Sequence, residues 1–89
     1  MMLKVFIKMI LAIGDHGPLC VTELIPHTRL NYLTILKSLK ELVQLGLVKT
    51  TPIYHGRKVM RRIVELTERG ELVYKAFKYE GREVASEVG

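Results

Sequence analysis

Five side chains that can carry positive charge, His55, Arg57, Lys58, Arg61 and Arg62, fall within eight consecutive positions. They surround a turn signal, "HG" at 55 and 56, between two β-prone runs, "LVKTTPIY" and "RKVMRRIVEL". Arginine and lysine displayed on a hairpin fork onto phosphate oxygens or enter a narrow groove of a polyanion. A solvated edge strand that uses charge to prevent aggregation would look the same, so the cluster needs support from elsewhere in the chain. A second group supplies it. "NYLTILKSLKELVQLG", residues 31–46, offers Asn31, Tyr32, Thr34 and Ser38 as short or planar polar side chains able to reach base edges or phosphates, with Lys37 and Lys40 among them and Arg29 just upstream.

Other chemistries find less material. Asp15, His16, Cys20, His27 and His55 are metal-ligand types, but no C-x-x-C or H-x-x-x-H spacing joins them, and we expect neither metal nor cofactor. Cys20, in the apolar context "PLCV", reads as a small buried hydrophobe rather than a redox sensor, and His16 and His27 read as turn residues. There is no glycine-rich phosphate loop, and the acids are spread over solvated helix faces. The expectation is that the protein is not an enzyme.

Composition bounds the rest. The chain has 89 residues, 48% hydrophobic and 26% charged, which describes one compact domain over 1–89. Its net charge is +5, unevenly placed: residues 1–62 carry ten Lys/Arg against three Asp/Glu, and residues 63–89 four against six. A basic body with a mixed-charge tail suits a polyanion binder carrying an assembly helix. With a single cysteine no intrachain disulfide can form, so self-association is the expected source of extra stability. The opening "MMLKVFIKMILAIG" is interrupted by Lys8, lacks a small-residue cleavage site and is too short to span a bilayer, so the expected location is the cytoplasm, with no membrane partner.

These groups need elements to hold them. Residues 1–14 predict a first helix, apolar on nearly every face and hence buried on most of them, ended by "GDHGP". Residues 20–46 predict two helices and a turn. The first is short, with Thr22 as N-cap and Pro26 confined to its first turn; the second is opened by Asn31 and runs from Tyr32 to about Leu45. Gly46 then closes that helix in a left-handed conformation, with Leu47 packing back. With Ile35, Leu39 and Leu42 inward, Leu33, Thr34, Lys37, Lys40, Glu41 and Gln44 lie on the far side, where Leu33 departs from the polar pattern. A hairpin over 47–66 follows, its first strand placed at an edge or a bulge by Pro52, and a last helix over 67–87 is capped by Thr67. The stripe Leu72, Val73, Ala76, Phe77 and Val84, together with Phe6 and Ile10 of the first helix, is the expected dimerisation surface; the last helix could instead cap its own core.

Two helices, a tight turn and a basic hairpin make a mainly α winged helix-turn-helix with a β-hairpin wing and a long C-terminal dimerisation helix. "LTILKSLKELVQLGLVKT" followed by "YHGRKVMRRIVELTERGELVYK" resembles the recognition helix, wing and start of the last helix in small prokaryotic and archaeal winged-helix transcriptional regulators of the MarR, PadR and ArsR-like group. The resemblance covers roughly residues 20–75 and is strongest at "L..L...GLV" and at "LT..G" after the wing. It implies a homodimer on double-stranded DNA, the third helix in the major groove and the wing on the backbone or minor groove. The expected function is therefore sequence-specific DNA binding by a transcriptional regulator. A winged helix used for protein contacts in a larger complex, or a non-specific chromatin protein, remain the alternatives.

Overall fold

The structure is a computed structural model describing the backbone of residues 2–88 and the side chains of residues 3–79. In chain order it contains α1 (Met2–His16), β1 (Leu19–Cys20), a 3-10 turn (Val21–Glu23), α2 (Leu24–Thr28), α3 (Tyr32–Gln44), β2 (Val48–His55), β3 (Lys58–Leu66) and α4 (Glu68–Val88). The strands form one antiparallel sheet in the order β1-β3-β2. Met9, Ile10 and Ile13 of α1, Leu24 of α2, Ile35 and Leu42 of α3, Val48 of β2 and Val64 of β3 are all buried to within 2% and make the core.

Three local features differ from the sequence expectations. The first helix does not stop at Gly14 but runs through His16 and ends where Gly17 takes a φ of 76°. Gly14 is there for packing: a Cβ on it would overlap the ring of Tyr74, which lies across α1 from α4. The hydroxyl of Tyr74 donates to Asp15 Oδ1 at 2.6 Å, and Lys78 Nζ pairs with the same oxygen at 2.9 Å. Second, Leu19 and Cys20 form a strand too short to leave a pattern, set against Val64 and Ile63. Third, Thr22 caps nothing. The chain closes into its short helix when the Glu23 carboxylate accepts the Cys20 N–H at 2.9 Å, the reach-back half of a capping box, and Thr22 stays exposed.

The Asp15 cluster gives a pH dependence. Hydrogen bonds from Tyr74 and Lys78 hold the Asp15 carboxyl below its ordinary value. A depressed folded-state pKa contributes stability that is present above the unfolded value of about 3.9 and is lost as pH falls through the folded value. Asp15→Asn should therefore melt below wild type at pH 7, by about 1 kcal/mol at most for so exposed a group, and the gap should narrow as pH falls through the acid range. Melting curves of both proteins across that range check this.

The remaining boundaries follow local hydrogen-bond chemistry. Asn31 Oδ1 accepts the Thr34 N–H at 2.8 Å and opens α3. At its other end Gly46 has φ 75°, with Leu47 N–H donating to Leu42 O and Gly46 N–H to Val43 O, both at 3.0 Å. This is a Schellman closure. Pro52 lies in β2, the edge strand, opposite Arg62, so its missing N–H breaks no interior ladder.

Candidate nucleic-acid interface

The candidate interface is built on α3. Ile35, Ser38, Leu39 and Leu42 are buried, at 5% exposure or less, and this fixes the rotation of the helix. At 100° per residue the row directly opposite is Leu33, Lys37, Lys40 and Gln44, all exposed. On the flank toward the sheet stand Tyr32, Leu36 and Val43, each partly open to solvent.

The wing faces that flank. An open cavity of about 400 Å³ is lined by Tyr32 and Leu36 of α3, by Cys20 to Thr22, and by Val59, Met60, Arg61 and Arg62 of β3. A second, of about 410 Å³, lies beside it and shares Val21, Leu36 and Arg62 with it. The two make a trough with α3 on one bank and the wing on the other. His55, Arg57, Lys58, Arg61 and Arg62 are all exposed, and among the described residues Arg57, Lys58 and Arg62 enter no ion pair. Lys49, nearer the base of the wing, is neutralised by Glu65 across the strand pair at 3.0 Å. The ladder skips a residue between the Ile53–Arg61 and Tyr54–Val59 pairs, which leaves Met60 without a partner and bends the outer hairpin.

Several residues singled out in the sequence are placed differently from expectation. Ser38 is fully buried, and its hydroxyl has no hydrogen-bond partner among the described residues, so it cannot touch a ligand. It sits one turn from each of Ile35 and Leu42, at the edge of the buried stripe. Ser38→Ala should leave any ligand affinity unchanged and raise stability by about 1 kcal/mol, because a buried unsatisfied hydroxyl is removed; paired binding and melting measurements check both halves. Ile10, expected at a dimer surface, is 1% exposed within its own core and is withdrawn from that role. Phe6, Val73 and Phe77 are half-buried against the same core, whereas Leu72 and Ala76 are exposed. Val84 lies outside the described side chains.

Among the polar candidates on α3, Asn31 is exposed but its Oδ1 is engaged in the cap, Thr34 is half-buried, and Tyr32, Lys37 and Lys40 stand free of the core. Arg29 is exposed and ends α2 in a left-handed conformation, φ 60°. The outward residues that sequence reasoning did not select as ligand contacts are Leu33 and Gln44. Helical phase had put both on the far side, but the choice of contacts went to short or planar polar side chains and to the lysines.

Cys20 is buried in β1, and the neighbouring Glu23 carboxylate, aided by burial, pushes its thiol above the ordinary range, opposite to what a reactive thiolate needs. Hydrogen bonds from Cys20, with the positive charge of Arg61 as a smaller cause, hold Glu23 below its ordinary value. His16 and His27 occupy α1 and α2 rather than turns, and their rings stack with centroids 3.9 Å apart. Among the described residues no three His, Cys, Asp or Glu side chains group as a metal site would require, and no helix is long and apolar enough to cross a membrane.

No family model and no curated protein sequence matches the chain. Solved structures do. Streptococcus pneumoniae FabT, solved in complex with DNA, superposes with a TM-score of 0.82 at 15% identity, over 94% of this chain and 57% of FabT. Staphylococcus aureus MarR, solved with salicylate and kanamycin, gives 0.81 at 18% identity, over 94% of this chain and 55% of MarR. A transcriptional regulator homologue from Pyrococcus horikoshii OT3 gives 0.76 at 20%, over 96% of this chain and 83% of that one. The chain has the winged helix-turn-helix fold of the MarR-type regulators. At these identities the likeness is one of fold, and the winged helix spans just over half of FabT and of MarR. Within it, α2 and α3 are the helix-turn-helix pair and β2–β3 the wing.

Proposed function

We propose that the winged helix binds double-stranded DNA as a transcriptional regulator. In this reading the outer row of α3 enters the major groove, and Arg57, Lys58, Arg61 and Arg62 of the wing, with His55, meet the backbone or the adjacent minor groove. Arg29 and the N-terminal end of α3, where free N–H groups and a positive partial charge lie, take a phosphate, and Tyr32 and Lys37 flank it. The carrying observation is the trough: α3 and the cationic hairpin form its two banks, so one duplex can engage both. FabT, similar in fold, was solved in complex with DNA, which supports DNA binding as a use of this fold.

The chain works as a homodimer in this reading, with Leu72 and Ala76 of α4 turned outward and Phe6, Val73 and Phe77 half-covered at the seam between α1 and α4. Two copies would read half-sites roughly 34–36 Å apart. Selection of bound duplexes from a random pool, with the mass of the complex measured alongside, tests the proposal. Enrichment of an inverted repeat by a dimer is the expected result. Equal retention of all sequences would turn the reading toward non-specific chromatin binding, and retention of none toward protein contacts.

A further inference from the structure

The leading end of α3 carries an unexpected group for a surface that meets a nucleic acid. Leu33 is 71% exposed, more than any other large apolar side chain among the described residues. A lone exposed leucine means little. This one stands first in the outward row that continues with Lys37 and Lys40, beside the partly exposed Tyr32 and Leu36, so its surroundings are cationic on one side and apolar on the other. Several short polar side chains at this end are engaged or covered: Ser38 is sealed in the core, the Asn31 oxygen is held by the Thr34 N–H, and Thr34 is half-buried on the flank, which leaves Tyr32 and Lys37 as the open polar groups beside Leu33.

A leucine offers neither donor nor acceptor. On the major-groove edge of unmodified DNA, the one group that gains by burying against it is the 5-methyl of thymine. We propose that Leu33 is a specificity-determining residue that selects thymine at one position of each half-site through that methyl group. This rests on the DNA-binding reading above, and it adds which base is read and by what chemistry.

The test uses the full chain and the duplex enriched from the random pool, resynthesised with deoxyuridine replacing thymidine one position at a time. Uracil keeps the pairing edge and removes only the methyl. At one thymine per half-site, the substitution should weaken binding by about fourfold, the transfer value of one buried carbon group. Leu33→Ala, a change at an exposed position, should lose the same factor on the thymine duplex and bind the thymine and uracil duplexes equally. Three results would overturn the inference. If wild type binds a defined sequence but treats every thymine and uracil alike, Leu33 reads no methyl and the DNA-binding reading survives. If the preference for thymine persists in Leu33→Ala, another residue or the shape of the duplex is responsible. If no duplex is enriched at all, the DNA-binding reading falls and takes the inference with it.

Discussion

Gly70→Ala should lower the thermal midpoint by roughly 5–20 °C, although the residue lies in a helix, where replacing glycine by alanine ordinarily stabilises by about 0.5–1 kcal/mol. The sign is reversed by one contact. Gly70 is the third residue of α4, and a Cβ on it would overlap the carbonyl oxygen of Leu47, which is backbone and cannot rotate away. Forced overpacking of this kind costs about 2–3 kcal/mol, which exceeds the propensity gain. The contact belongs to a joint. Thr67 Oγ1 accepts the Gly70 N–H at 3.0 Å and donates to Gly46 O at 2.6 Å; the Thr67 N–H donates to Leu47 O at 3.0 Å; and Arg69 reaches Leu45 O at 3.1 Å. The exit of α3 is thereby fixed to the entry of α4, which holds the two helices at a set position relative to each other. Circular dichroism melts of wild type and variant decide the point. An unchanged or raised midpoint would mean that α4 does not approach Leu47 as described.

Replacing Arg57 and Lys58 together by alanine should weaken binding to every duplex alike, by about tenfold or more per protomer, since a hydrogen bond to a charged group contributes on the order of 1.5 kcal/mol. Two lost phosphate contacts should also make the plot of log affinity against log salt shallower by about 2 per protomer. The sequence preference should not change, because the proposed docking assigns base reading to α3. Both residues are exposed at the far end of the wing, so stability should be unaffected. Fluorescence anisotropy on the selected and on a scrambled duplex, at two or more salt concentrations, separates these effects. A variant that binds with wild-type affinity and slope would remove the wing from the interface.

How much of this was legible from the residues depends on the range of the interaction concerned. Helix α3 was readable at both ends because its cap, Asn31, and its terminator, Gly46, act within a few residues. The strings "GLV" and "LT..G" stood out as a resemblance, and the structure gives their reason: Leu47, Thr67 and Gly70 bond or touch one another across some twenty residues. Pro52 marked the edge strand correctly because proline lacks the donor an inner strand needs. Long-range packing stayed hidden. Gly14 looked like a terminator because nothing local announces that Tyr74 will lie against it. β1 is two residues long and exists only because β3 accepts it. The candidate site was misread at Ser38, where polar character was taken to mean access to a ligand although the residue is buried; Leu33, which helical phase had put on the far side, is open as expected. Ile10 was lost among residues of a helix apolar on nearly every face, since such a pattern does not say which face meets the chain's own core.

The most direct measurement places one cutting reagent on the outer row of α3 and another at the tip of the wing. In a Cys20→Ala background, an iron chelate is attached to a single cysteine at Lys37→Cys in one protein and at Arg57→Cys in the other, and each is bound to the same selected duplex. The expected result is cleavage by both at defined sites: one set centred in a major groove and the other in an adjacent minor groove, displaced by about half a helical turn, or roughly 5 base pairs. Cleavage by only one of the two, or by neither above the level of free chelate, would contradict a shared docking face.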